Sequence, residues 1–309
     1  VDRVDYSNDT ATAAVKGPLT VATSNLAATG NASFGYFAGG FPGPLSRVDR
    51  IDYSNDTATA ALKGPLSAAR YGLAATGNSS FGYFAGGNGP VSTVDRIDYS
   101  SDTGTTPTKG PLSIIKRELA ATGNASFGYF GGSYPAKSTV DRIDYSNDTA
   151  TASVKGPLTV AKWYMGATGN ANFGYFGGGK TPTTASTVDR IDYSNDTVTA
   201  TAKGPLTVAR SGSEATGNSS FGYFGGGAPG PRSSVDRIDY SNDTATAAAK
   251  GPLSVARSYL AASSSRANAI PLKGPGVLEV SVSMGAFSRN YGPQGTDFGY
   301  FGGGGPPAV

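Results

Sequence analysis

The 309-residue sequence contains no cysteine and no histidine. That excludes disulfide staples, thiolate or imidazole metal ligation, and every catalytic scheme built on a Cys or His nucleophile or base. Charge is also scarce: 15% of residues are charged and the net charge is +3, so no polyelectrolyte surface for nucleic acid is expected. No apolar run approaches the length of a membrane span, and no signal-peptide pattern opens the chain. Helical periodicity is missing too. The chain opens at Val1 rather than Met, and is read as an excised part of a longer polypeptide. What is abundant is glycine, 45 residues, with an aromatic fraction of 10% that is ample for a core.

Most of the chain is one unit written six times. The string Val-Asp-Arg-(Ile/Val)-Asp-Tyr-Ser begins at Val1, Val48, Val94, Val140, Val188 and Val235, a period of 46 to 48 residues. Phe-Gly-Tyr-Phe-(Ala/Gly)-Gly begins at Phe34, Phe81, Phe127, Phe173, Phe221 and Phe298, and Lys-Gly-Pro-Leu at Lys16, Lys63, Lys109, Lys155, Lys203 and Lys250. A fixed period of this length outranks local propensity as a guide to the fold. Within a unit, Leu73 to Asn78 is a small-residue strand ending in a turn, and Phe81 to Phe84 alternates across a second. Val-Asp-Arg-Ile-Asp-Tyr is a third, closed by Ser-Asn-Asp-Thr, and a Thr/Ala-rich fourth runs to Lys-Gly-Pro. Asn-x-Ser/Thr sequons such as Asn8-Asp9-Thr10 and Asn78-Ser79-Ser80 fall in the turns. Four antiparallel strands repeated six times predict an all-β, six-bladed β-propeller, one domain over residues 1–309.

The register of the ends adds a second expectation. The sequence opens with the third strand of a unit and closes with the second, so N- and C-terminal strands should pair in one blade and shut the ring. An open solenoid is the alternative that this register disfavours. The last unit carries an insertion, 264–297, in which Val277 to Met284 alternates as an extra strand; it is expected to project on the face opposite the variable loops.

The unit resembles the kelch repeat, on Gly86–Gly87, Tyr99 and Arg70 in and around the second blade, although the family's Trp is absent and Thr or Ala stands in that stretch. The near-identical copies also look like repeat proteins among the structural proteins of tailed phages of marine bacteria. That resemblance implies a virion component, a tail or fibre module touching the host envelope, and a virion or extracellular location. It assigns no residue a role.

Of the 22 acidic residues, 18 are the three Asp of each copied string, which points to structure rather than catalysis. Arg50 and Asp52 are expected to form a repeated ion pair between blades, and Asp56 to cap its own turn. Calcium binding at that turn is the weaker reading, because it lacks the alternating carboxylates and closing Glu of a dedicated loop. Neither a metal nor a cofactor is expected.

Two windows vary between copies: one after Lys-Gly-Pro-Leu and one after the Gly run. In an antiparallel blade both emerge on one face, around the mouth of the central channel. Six of the eight non-framework aromatics lie there. The candidate ligand-binding residues are therefore Phe41, Tyr71, Arg117, Glu118, Tyr134, Trp163, Tyr164, Lys180, Glu214, Arg232 and Tyr259. Arg47, Arg117, Lys137, Lys180 and Arg232 outnumber Glu118 and Glu214 on this face, which predicts an acidic ligand. Glu214 interrupts the small-residue inner strand, but a lone acid makes no hydrolase. The expectation is a non-enzymatic module that recognises a host-surface polysaccharide or protein alongside other virion proteins. The alternative is a purely structural scaffold using the constant face and the insertion.

Overall fold

The computed structural model describes residues 1–89, 91–264 and 298–305. Short strands separated by Gly-rich turns assemble into six antiparallel sheets around an axis. Blade 1 runs outward from Ala27–Gly30 through Phe34–Ala38 and Val48–Asp52 to Ala61–Lys63. Blades 2 to 5 repeat it, with inner strands Ala74–Gly77, Ala120–Gly123, Trp163–Gly169 and Glu214–Gly217. Thr183–Thr184 adds a fifth strand to blade 4. Blade 6 combines Ser258–Ser264 and Phe298–Gly305 with Asp2–Asp5 and Ala14–Val15. In it Asp2 lies opposite Phe301 and Asp5 opposite Phe298, so the terminal strands do close the ring. Inner strands of neighbouring blades touch all the way round, including blade 6 against blade 1. Ser264 ends its strand; the rest of the 264–297 insertion, with its predicted extra strand, lies outside the described residues.

The core sits between blades rather than within them. Tyr83, Val94 and Leu112 of blade 2, for example, pack with Leu119, Phe130 and Ile143 of blade 3. The alternation of Phe-Gly-Tyr-Phe explains why: the central Tyr and second Phe enter this space, and small residues opposite leave room. A Cβ on Gly131 would meet the Phe176 ring of the next blade at 2.8 Å. Each central Tyr stacks on the Tyr that ends the third strand of the next blade, with ring centroids 4.5–4.9 Å apart. The first Phe stays in its own blade, under the guanidinium of the cross-strand Arg, as in Phe81 and Arg96.

The ionic framework corrects two expectations. Arg50 does not pair with Asp52 but with Asp102 of the next blade, at 2.8 Å. Asp52 instead accepts from the Ser54 backbone N–H and hydroxyl, capping the short 3-10 turn Tyr53–Asn55. Asp56, expected to cap that turn, is the inter-blade acceptor for Arg3, Lys16 and the Tyr300 hydroxyl. Side chains two apart in a strand share a face, but Asp52 opens the turn and bonds back into it, whereas Asp56, at its far end, is the carboxylate that reaches across. The same triple contact recurs at Asp102, Asp148, Asp196, Asp243 and Asp9, so six clamps close a belt around the ring. Burial opposes ionisation of Asp9, Asp102, Asp148, Asp196 and Asp243, but the Lys, Tyr and Arg partners outweigh it and hold these carboxyls below the ordinary value of 3.8.

A second belt lies beneath the variable face. The first Asp of Val-Asp-Arg is buried and pairs with the cation that opens the first variable window: Arg70–Asp95, Lys116–Asp141, Lys162–Asp189, Arg210–Asp236 and Arg257–Asp2. Blade 1 has Thr23 at that place, and Arg47, from the second window, approaches Asp49 instead, at 3.9 Å. Arg47 is thus framework rather than part of a free basic surface.

Candidate functional site

Both variable windows emerge on one face and are stitched together by isolated bridges such as Ser24 with Phe41, Leu45 with Arg70 and Lys137 with Lys162. The opposite face is built from repeated Asx turns. There Asn31 Oδ1 accepts from the Ser33 and Phe34 backbone N–H groups, a pattern repeated at Asn78, Asn124, Asn170 and Asn218. Local hydrogen bonding therefore accounts for its invariance.

The predicted site residues fall into two groups. The outer group forms an arc across blades 1 to 4. Phe41 meets Tyr71 edge-on at 5.6 Å, and the Tyr71 hydroxyl contacts the Asn88 amide. Arg117 donates to Asn88 Oδ1 at 3.0 Å and lies 4.7 Å over the Tyr134 ring. Tyr134 in turn meets Trp163 edge-on at 5.5 Å. Lys180 lies across the hairpin from Trp163 and is exposed. Of the arc's rings only Phe41 and Tyr134 are well exposed, 47% and 44%; Tyr71 and Trp163 are half-buried, so the expectation of free stacking platforms holds for two rings only. Arg232 sits apart, on blade 5, bridged to Arg257.

Beside this arc lies a groove of about 560 Å³, walled by Gly87 of blade 2 and by Ile114, Ile115, Arg117, Tyr134, Pro135 and Lys137 of blade 3. Ile115 is more than half exposed. Copy comparison carries the signal for it: Ile114-Ile115 stands where the other copies have Val-Ala or Ala-Ala. Its floor is apolar, its charged lining groups are all cationic, and its volume is in the range of small-molecule sites.

The inner group surrounds the axis. Asn25, Gly72, Glu118, Tyr164, Gly212 and Tyr259 occupy one position per blade, and all six have left-handed backbone, φ 53–66°. This conformation lets each residue donate its N–H to the carbonyl of the one before it around the axis. The bonds, 2.7–2.9 Å long, form a closed six-membered circle at the channel mouth. For the four non-glycine residues it costs about 1–2 kcal/mol each, which the continuous circle and side-chain packing offset. Tyr164 and Tyr259 meet edge-on at 5.0 Å. Burial pushes the Glu118 carboxyl up to about 7, against the opposing Tyr164 hydroxyl and Arg117 charge.

Below this circle the inner strands are too close for anything but small side chains. Ala27, Ala74, Ala120 and Ala261 occupy one level, joined by Gly166 and Glu214. Glu214 lines both the mouth cavity above and the Ala/Thr-lined channel below, each about 40 Å³. Its Oε1 accepts from the Ala215 backbone N–H at 3.0 Å, and burial pushes its carboxyl up to about 8. Nothing in this arrangement couples an acid to a nucleophile. The sequence reading missed Asn88, Ile114, Ile115 and Ser213 as site residues.

No family model matches the sequence, and no curated protein matches it. Among solved structures, the chain is similar to that of YjhT, with a TM-score of 0.67 and 11% identity, over 81% of this chain and 90% of that one. At that identity the likeness speaks for the six-bladed propeller alone.

Proposed function

We propose that the protein is a non-enzymatic binding module, a virion surface component whose variable propeller face recognises an acidic glycan or protein of a host envelope. The observation that carries this reading is the blade 3 groove. It is the place where an otherwise repetitive chain departs from its own repeat to expose two isoleucines beside Arg117 and Lys137. Exposed apolar side chains next to desolvatable cations give affinity and charge selectivity together. The aromatic arc keeps this surface rigid, which reduces the ordering cost of binding. The kelch-like repeat supplies a frame on which loops vary without cost to the core.

Binding of the full chain to acidic and neutral bacterial surface polysaccharides, and to envelope proteins, tests the proposal. Binding to an acidic ligand that falls at least about tenfold in Arg117→Ala or Ile115→Ser supports it. Equal binding by those variants, or none by the native chain, favours the structural scaffold with contacts through the constant face.

A further inference from the structure

The second variable window of blade 2 opens with Asn88-Gly89, the one Asn-Gly pair in the sequence. Asn88 stands where the other copies have Phe41, Tyr134, Lys180, Ala228 and Gly305, so nothing in the repeat requires an amide there. When glycine follows asparagine, the next backbone nitrogen can approach the side-chain amide with little obstruction, because glycine carries no Cβ. The surroundings are open as well. Gly89 is exposed, its φ is +111°, and a Cβ added to it would meet no atom within 4 Å.

The Asn88 amide is held by groups that suit it to losing ammonia. The Gly89 N–H donates to Asn88 Oδ1 at 3.0 Å, which keeps that nitrogen beside the amide carbon. Arg117 of blade 3 donates to the same oxygen, also at 3.0 Å. There the guanidinium draws electrons from the carbon and stabilises the negative charge that forms on attack. Asn88 Nδ2 donates to the Tyr71 hydroxyl, so the leaving nitrogen has a proton donor in contact. The turn residues Asn31 and Asn78, by contrast, accept from N–H groups two and three residues ahead rather than from the next residue.

We propose that Asn88 is a self-modification site, converted to aspartate and isoaspartate with the assistance of Arg117. The Gly89 nitrogen gives its proton to water and attacks Asn88 Cγ, and the carbonyl electron pair moves onto Oδ1 beside the guanidinium. Collapse of this intermediate breaks the Cγ–Nδ2 bond, and Nδ2 takes up a proton and leaves as ammonia. The product is a five-membered succinimide. Water then adds to either of its two carbonyls and opens the ring to an aspartate or an isoaspartate. The new carboxylate forms against Arg117, a cation that lines the blade 3 groove. It pairs with that guanidinium and competes with any acidic ligand, so the modification lowers the charge preference of the face with time. This consequence for binding rests on the reading of the groove given above; the modification itself does not.

Ageing the folded full chain in mildly alkaline buffer, with peptide masses and isoaspartate content followed at each asparagine, tests the site. Asn88 should convert first. Arg117→Ala should slow the conversion at least about threefold, and Arg117→Lys, which keeps the charge, should retain part of the rate. An Asn88 that stays intact, or a rate unchanged or raised in Arg117→Ala, overturns the proposal. Asn88→Asp carries the product directly, and its binding to acidic bacterial polysaccharide should fall about tenfold from that of the native chain. Undiminished binding in Asn88→Asp overturns the consequence for the groove. Absence of binding by the native chain is a failure of the groove reading alone, because the mass measurement needs no ligand and decides the modification by itself.

Discussion

The two faces of the propeller are made from the same repeat but held by different means. On the constant face, each turn satisfies itself through Asp and Asn side chains and then offers one Asp to the preceding blade. Every clamp is the same because each must meet an identical neighbour. On the variable face, the ionic belt is buried and its partners are exchangeable: Arg, Lys, or in blade 1 a Thr23 compensated by Arg47. A belt that accepts substitutes beneath it leaves the loops above free to differ. That contrast explains how one face can carry recognition while the ring stays intact.

The largest effect should come from breaking the buried belt. Asp189→Ala leaves Lys162, itself fully buried, without its carboxylate and should cost about 3–5 kcal/mol in denaturant unfolding. Blade 1's exchange should be portable: Lys162→Thr alone should destabilise blade 4, and adding Thr187→Arg should recover part of the loss.

Acid should act first on the other belt. The clamp carboxyls of Asp9, Asp102, Asp148, Asp196 and Asp243 sit below 3.8, so the folded state binds fewer protons than the unfolded chain as pH falls toward that value. Their contribution is fully present above the unfolded value and is lost as pH drops through the lowered folded values. Melting midpoints should therefore hold or rise as pH falls from 8 toward 5, while the buried Glu118 and Glu214 carboxyls take up protons, and fall cooperatively below about pH 4 as the clamps are lost. A linear decline beginning near neutrality would contradict the clamp.

A smaller effect, of opposite sign, is expected at the axis. Glu214→Ala restores the repeat and removes a buried carboxyl, so at pH 8 it should stabilise by about 1–2 kcal/mol. The smallest concerns the groove. Arg117→Ala and Ile115→Ser should change stability by no more than about 0.5 kcal/mol, since both sit on the surface, while ligand binding falls. Loss of folding in either would make the groove part of the frame.

Much of this architecture was legible before any coordinates. Six copies of a four-strand unit, opening on a third strand and ending on a second, implied both the blade count and the interlocked closing blade. Both variable windows emerge on one face, as the repeat implied, and ten of the eleven candidate residues lie there in the arc or around the axis. The groove was legible in principle too, from Ile114-Ile115. Pairing was not: Arg50 and Asp52 share a strand face, yet Arg50 reaches Asp102, about one repeat away. The aromatic pairs Phe41–Tyr71 and Tyr134–Trp163 bring together residues from adjacent blades that sequence spacing keeps apart.

By itself, the sequence determined the repeat, the strand alternation and the faces, because these depend on local periodicity and on turn chemistry. Only the tertiary structure decided which charges meet, which rings are covered and which polar groups share the axis. Those outcomes depend on the rotation from blade to blade, which brings Glu118, Ser213 and Glu214 to one cavity although about 95 residues separate the first from the others. A period in sequence is a distance along the chain; closing the ring turns it into an angle, and contacts follow the angle.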